Sequence, residues 1–290
     1  MTFGGFLRLN LLKEKFSKWK KVYPLSIHTL ADIDWFKWNG VKCTDYGMHV
    51  LQQPTITRAA ERISNEIVPG RSGSLTLTEG EDGDYIYDDV NLSALCVIDD
   101  PYMAIDGANV SRIAKISGWL KGDGKVVFAN RQEGYYKARI VNQIQFAQIV
   151  QGNPHRSFSV QFRCNPSLYL TDGETSITST TSPLSLTNSG NIYSLPLIKI
   201  VPNASIEEPA TIMCGSSTMI INSFKEISYI MIDSEAKIAY TGQVGSASDP
   251  VKLLGTRVIG NWLKIPEGNS LITYTGNVKS IEVTPRWRCV

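Results

Sequence analysis

Pro69-Gly70-Arg71-Ser72-Gly73-Ser74-Leu75-Thr76-Leu77 joins a conspicuous turn to the opening of a strand. Pro69 pre-sets one backbone angle, and Gly70 and Gly73 permit positive φ. Arg71 is pushed outward between them as a planar, permanently charged fork. From Ser74 the chain alternates polar and apolar, as a half-buried strand does. The polar stretch before it, Pro54 to Val68, contains no catalytic grouping, so the segment points to assembly rather than chemistry. Pro69, Gly70, Arg71 and Gly73 are the candidate contact residues, although a plain β-turn ahead of a strand has the same spacing.

Composition narrows the classes. The 290 residues are enough for two domains with separate cores, and 42% hydrophobic content is ordinary for a globular chain. Lys and Arg number 29 against 27 Asp and Glu, a net charge of +2. Nothing there suggests a binder of specific nucleic acid sequences, which works through clustered basic residues. No apolar run reaches the roughly 20 residues that cross a bilayer, so no membrane span is expected. Five cysteines, Cys43, Cys96, Cys164, Cys214 and Cys289, stand far apart with no C-x-x-C pair, which argues against a disulfide framework or structural zinc. Cys96 and Cys164 sit in apolar or alternating runs, where a buried and inert thiol is expected.

Further signatures flank the opening segment. Upstream lie Trp35-Phe36-Lys37-Trp38-Asn39-Gly40 and Asp45-Tyr46-Gly47-Met48-His49-Val50-Leu51; downstream lie Trp119 to Phe128, Tyr135 to Ile140 and Phe158 to Pro166. The second half continues with Leu186 to Gly190, Ser194 to Leu197, Ile232-Asp233-Ser234, Leu253-Leu254-Gly255, Ile259-Gly260-Asn261 and Thr284-Pro285-Arg286-Trp287. In this order, over about 36 to 288, the chain resembles the distal tail proteins of long, non-contractile-tailed bacteriophages. The resemblance implies a mainly β protein, with an N-terminal β-rich ring-forming domain that carries one helix and a C-terminal galectin-like or carbohydrate-module-like β-sandwich. It also implies a virion component at the tail tip or baseplate, made in the host bacterial cytoplasm. The implied partners are further copies of itself in a homohexameric ring, the tail-tube protein, the tail-associated hub or fibre protein, and a receptor-binding protein. No cofactor, metal or catalytic residue is implied.

Three regions follow. Residues 1–34 form a basic extension, loosely ordered, in which Leu9, Leu12, Phe16 and Trp19 recur at helical spacing among lysines. Residues 35–165 read as the ring-forming domain, with strands at 47–53, 74–79, 84–89, 92–98, 125–129, 135–144 and 157–164. One helix interrupts them, capped by Asp106, with Val110, Ile113, Ile116 and Leu120 near a 3.6 period, and ending at Gly122. Lys121-Gly122-Asp123-Gly124-Lys125 reads as a tight hairpin turn. Residues 166–290 read as the sandwich, opening with a Ser/Thr-rich loop and edge-strand passage from Thr171 to Asn191. Strands follow at 197–201, 210–214, 218–222, 229–232, 236–240, 257–265, 270–275 and 279–284.

Several chemical readings are weak. Gly118 to Lys125 misses phosphate-loop spacing by one residue, and Val126 stands where a magnesium-binding hydroxyl is needed. The acidic run Glu79 to Asp84, with Asp88 and Asp89, does not have calcium-loop order and suits a solvated hairpin tip. His28, His49 and His155 belong to no catalytic motif, and the chain is expected not to be an enzyme. The alternative function is a carbohydrate-binding sandwich that recognises host surface glycans. It would need Trp262, Tyr274 and Trp287 to offer sugar-stacking faces, although strand alternation favours core packing for the tryptophans.

Overall fold

A computed structural model describes residues 33–77, 85–98, 107–146, 157–241, 251–253 and 255–290. The protein is mainly β, with one α-helix among the described residues. The first strands are β1 (Phe36–Trp38), β2 (Val41–Lys42), β3 (Met48–Gln52), β4 (Ser64–Glu66), β5 (Leu75–Leu77) and β6 (Val90–Ile98). Helix α1 (Gly107–Trp119) precedes β7 (Asp123–Phe128), β8 (Arg131–Ile140) and β9 (Ser157–Leu170). Then come β10 (Ile177–Ser179), β11 (Leu184–Asn188), β12 (Leu197–Val201), β13 (Ala210–Cys214), β14 (Ser217–Ile221), β15 (Ile230–Asp233) and β16 (Ile238–Thr241). The last are β17 (Val251–Lys252), β18 (Val258–Gly260), β19 (Gly268–Gly276), β20 (Ser280–Thr284) and β21 (Arg288–Cys289).

Eight strands make the first sheet, ordered β2-β1-β7-β8-β9-β6-β3 with β21 also pairing β9. Strict alternation explains its central strands. In β6, Val90, Leu92, Ala94, Cys96 and Ile98 face inward; in β9, Phe158, Val160, Phe162 and Cys164 do the same. Trp38, Phe36 and Phe128 gather edge-on or tilted around Phe162, with ring centroids 5.3 to 5.6 Å away. Ile116, with Leu120 just past the helix end, lays α1 on this core, and Trp119 stacks on Phe36 at 5.8 Å and on Tyr46 at 4.6 Å. The expected helix cap Asp106 lies outside the described residues, as do the acidic run 79–84, His28, His155 and all of the basic extension but Ile33 and Asp34.

The hairpin turn expected at Lys121–Lys125 does not form. Asp123 and Gly124 are already in β7, opposite Arg139 and Ala138. The positive φ belongs to Gly122 alone, which turns the chain out of the helix. Gly124 is glycine for another reason: a Cβ there would stand 2.1 Å from Asn39 Oδ1, which accepts a hydrogen bond from the Lys125 N–H at 2.9 Å.

A second core lies between a six-stranded sheet, β10-β20-β12-β15-β16-β17, and a five-stranded sheet, β11-β19-β13-β14-β18. Ile198, Ile200, Ile230, Ile232, Ile281 and Val283 point inward from the first of these; Ile212, Met219, Ile221 and Ile272 do so from the second. The Ser/Thr-rich passage supplies β10 and β11, each an outermost strand of its sheet. Between the cores the chain passes through β9. Its ladder with β8 shifts register after Ala138↔Cys164 and resumes at Tyr136↔Leu168, so Pro166, which has no N–H to donate, stands in the irregularity. The last strand, β21, then returns to pair Arg288 with Tyr169 and Cys289 with Leu168.

Candidate assembly arm and the seam between the cores

The opening segment is the tip of an isolated hairpin. Among the described residues β4 and β5 pair only with each other, Ser64 opposite Leu77 and Glu66 opposite Leu75. Arg62 N–H donates to Ile86 O at 2.7 Å and Asp88 N–H to Ala60 O at 2.9 Å, which ties the base of the hairpin to the stretch before β6. Ion pairs from Arg58 to Glu61 and from Arg62 to Asp88, both 2.8 Å, flank that base. At the tip, Arg71 N–H closes a turn on Val68 O at 3.2 Å, with Gly70 at φ +83° and Gly73 at φ +81°. Pro69, Gly70, Arg71 and Gly73 are all exposed, and a Cβ on either glycine would meet nothing within 4 Å. The turn therefore needs its glycines for backbone shape and not for packing.

What the sequence reading missed is the apolar character of this arm. Ile67 is 87% exposed, and Ile56, Ile63 and Tyr85 are each more than half exposed, with Val68 and Ile86 beside them. A two-stranded hairpin with these side chains in water has little of its own to hold it. The signal was present as Ile56, Ile63, Ile67 and Val68 in an otherwise polar stretch, but Ile56, Ile63 and Ile67 recur near a helical period, whereas the segment is extended chain and short strand.

The opposite condition holds at the seam between the cores. Arg286 grips Asp233 with two hydrogen bonds, Nη1 to Oδ1 at 2.8 Å and Nη2 to Oδ2 at 3.1 Å, and reaches Glu235 Oε2 at 3.4 Å. From the first sheet, Lys137 Nζ and the Tyr169 hydroxyl both donate to Glu235 Oε1 at 2.5 Å. Tyr135, stacked on Tyr169 at 5.4 Å, donates to Glu174 Oε1 at 2.5 Å. Lys125 lies over the Tyr135 ring at 4.1 Å and Lys137 over Tyr169 at 4.4 Å. Burial pushes the Asp233 carboxyl upward, but Arg286 and the backbone N–H groups of Ala236 and Glu235 outweigh it and hold the group below its ordinary range. Glu235 is likewise lowered: burial opposes ionisation, and Lys137, Tyr169 and Arg286 overcome it. Burial and the neighbouring carboxylates push the Tyr135 and Tyr169 hydroxyls well above the tyrosine range.

Arg286 itself sits at φ +56°, a left-handed conformation unfavourable for a side chain of its size. Its backbone N–H donates to Gly173 O at 2.7 Å, and the guanidinium clamp holds the other end. Two glycines make room for the returning chain. A Cβ on Gly173 would stand 2.2 Å from Trp287 N, and one on Gly190 would stand 2.1 Å from Arg288 O.

The remaining candidates fall elsewhere. His49 bonds Asp34, and no group of His, Cys, Asp and Glu suited to a metal occurs among the described residues. Asp88 and Asp89 are engaged by Arg62 and Arg163. Four of the five thiols are buried, and burial pushes Cys43 and Cys214 up to about 11 and Cys164 up to about 12, so they are protonated and inert at neutral pH. Trp287 and Tyr274 are buried in the second core and Trp262 is half-buried against it, so they form no sugar-stacking platform.

No family model and no curated protein matches the chain. Among solved structures it is similar to that described as SPP1 Dit (gp 19.1) protein, "a paradigm of hub adsorption apparatus in Gram-positive infecting phages", with 15% identity and a TM-score of 0.60, over 86% of this chain and 97% of that one. A weaker likeness is to the phage P2 baseplate in its activated conformation with Ca, at 8% identity and a TM-score of 0.48, over 86% and 96% of the two chains. The chain thus has the fold of the SPP1 protein.

Proposed function

We propose that this chain is a structural component of the distal tail of a long, non-contractile-tailed phage or prophage, a ring that joins the tail tube to the tail-tip hub or fibre and supports host adsorption. The observation that carries the reading is a shared fold spanning nearly the whole of a protein described as a hub of adsorption apparatus. The exposed apolar arm supports it from physics. A ring of six closes when one surface of each copy meets a different surface on the next, and such closure buries what a lone copy exposes.

In this reading residues 35–165 make the ring, and residues 166–290 project outward to a receptor-binding protein or another baseplate component. Pro69, Gly70, Arg71 and Gly73 lie at a contact between copies, with Arg71 reaching a neighbour's carboxylate. The ring's lumen is neutral or acidic, because a wall that held phosphates would impede passage of the genome. The protein works without catalysis and resides in the virion.

Light scattering with negative-stain microscopy on the full chain tests this. Particles with the mass of six copies and a central hole are expected. A chain that stays monomeric over a wide concentration range, and also in the presence of tail-tube protein, would refute the ring.

A further inference from the structure

The outer strands of a sheet invite pairing, and both outer strands of the first sheet are guarded. β2 ends on Lys42, and the Val50 N–H of β3 is taken by Asp34 O. β11 is different. It is outermost in the five-stranded sheet, its 5 residues keep an unbroken register with β19, and it lies in a stretch, Thr175 to Ile198, that carries no charged residue. The direction of its main-chain groups follows from its neighbour. In β19 the Tyr274 N–H donates to Ser182 Oγ at 2.9 Å, on the β11 side; just past that strand the Asn277 N–H donates to Pro209 O at 3.1 Å, on the β13 side. Alternation then sends the groups of Ile272 and Ser270 to β11, where they meet Leu184 and Leu186. Ser185 and Thr187 therefore turn their N–H and C=O groups to the open edge, and both residues are exposed. Among the described residues no other strand or turn takes those groups.

We propose that β11 pairs antiparallel with β11 of a second copy of this chain, about a two-fold axis through Leu186. In that register Ser185 stands opposite Thr187 of the partner subunit, and each outward N–H meets an outward C=O of the other strand. Pro183 fixes the register, because an axis through Ser185 would set Thr187 against a residue with no N–H to donate. The side chains agree with it. Serine opposite threonine is a favourable cross-strand pair, and the next residues across the ladder to β19, Leu271 and Asn269, carry no charge, so two copies meet without like charges in contact. Leu186 stays in its own core. A few hydrogen bonds without a large apolar area make a weak contact, so pairing grows as the protein is concentrated. It joins like to like, whereas the ring joins unlike surfaces, and it stands whether or not the ring does.

Disulfide trapping on the full chain tests the register. Ser185→Cys and Thr187→Cys chains are mixed, and the two-chain product is compared with that from each variant alone and from the unchanged protein, which controls for the half-buried Cys289. Directly opposed residues in such a pair have Cα atoms about 5.5 Å apart, within disulfide reach, whereas like residues are offset along the strands to roughly 8–9 Å, beyond it. The mixture should give about tenfold more product than either variant alone. Thr187→Pro removes an outward donor and leaves the ladder to β19 intact, and Ser185→Lys puts on this edge the charge that guards β2. Light scattering should show a mean mass that rises about twofold as the unchanged protein is concentrated and does not rise in either variant, with melting temperatures unchanged. A mixture that traps no more than the single variants overturns the proposal, as does an undiminished rise in mass in both folded variants. Ile67→Ser, on the arm, reports separately on the ring, whose failure lowers the mass of dilute protein and leaves the trapping pattern as it was.

Discussion

The arm around Ile67 and the seam around Arg286 treat their side chains in opposite ways. The arm places isoleucines in water and is held at its base by backbone hydrogen bonds and surface ion pairs, each worth little. The seam places a lysine, an arginine, three carboxylates and two tyrosines where each meets a partner from another part of the chain. A region already paired is a joint of the folded chain; one with its apolar groups bare would gain from being covered. Stability should therefore reside at the seam, and association at the arm.

The comparison breaks most readily at Arg286. Arg286→Ala leaves Asp233 and Glu235 ionised, largely out of water and without their shared partner. Breaking a fully buried pair costs about 3–5 kcal/mol, and with Arg286 19% and Asp233 15% exposed the expected loss is about 2–3 kcal/mol. Urea unfolding measures it. Arg286→Gly loses the same clamp but relieves the left-handed backbone, so it should be about 1 kcal/mol less damaging than Arg286→Ala. Equal losses would mean that the backbone at this position is not under strain.

Gly173→Ala comes next. Its Cβ would press on the backbone nitrogen of Trp287, and the chain must shift there because no flexible side chain can give way. Overpacking of this sort costs about 1–3 kcal/mol. Because Leu170 N–H donates to Trp287 O at 2.8 Å, the damage should appear as faster amide exchange at Leu170 and through β21. An unchanged exchange pattern would separate the returning chain from the stability of the seam.

The seam should also respond to pH on both sides. Asp233 and Glu235 have lowered folded values, so their contribution is complete above the ordinary carboxylate range and is lost as pH falls through those lowered values. Tyr135 and Tyr169 have raised values, so their contribution is complete below about pH 10 and is lost as pH climbs from there. Urea midpoints against pH should fall in acid and again in alkali. Tyr135→Phe with Tyr169→Phe should flatten the alkaline limb, and should also shrink the acid limb because Tyr169 no longer helps hold Glu235 ionised.

Much of the fold was legible because alternation is a local signal. Strands at 197–201 and 210–214 were read with their observed bounds, β6 and α1 within a few residues or one turn, and β9 from its first residue but six residues short of its end at Leu170. The first two strands were not, since Phe36–Trp38 and Val41–Lys42 are too brief to show a period and owe their conformation to pairing, Phe36–Trp38 with β7 and Val41–Lys42 with Phe36–Trp38. Asp123-Gly124 was misread because a good turn dipeptide yields to a strand when a neighbour, here Asn39, fills the space above the glycine. The seam was illegible for a different reason. Arg286, Glu235 and Lys137 look like ordinary surface charges until the fold brings positions 98 residues apart within 2.5 Å.

The smallest expected change in folding is at the arm tip, and there it is most informative. Ile67→Ser alters a side chain that is already 87% in water, so urea unfolding should move by no more than about 0.5 kcal/mol. Arg71→Ala, on the exposed turn, should be equally silent. If the arm is the contact between copies, both variants stay folded and yet lose the mass of the full ring, Ile67→Ser more completely because it removes apolar area and not a single exposed charge. The contrast with Arg286→Ala is then complete: one change unfolds the chain more easily, and the other leaves it folded but alone. Full rings from both arm variants would place the contact elsewhere and leave the arm's bare isoleucines to another partner in the tail.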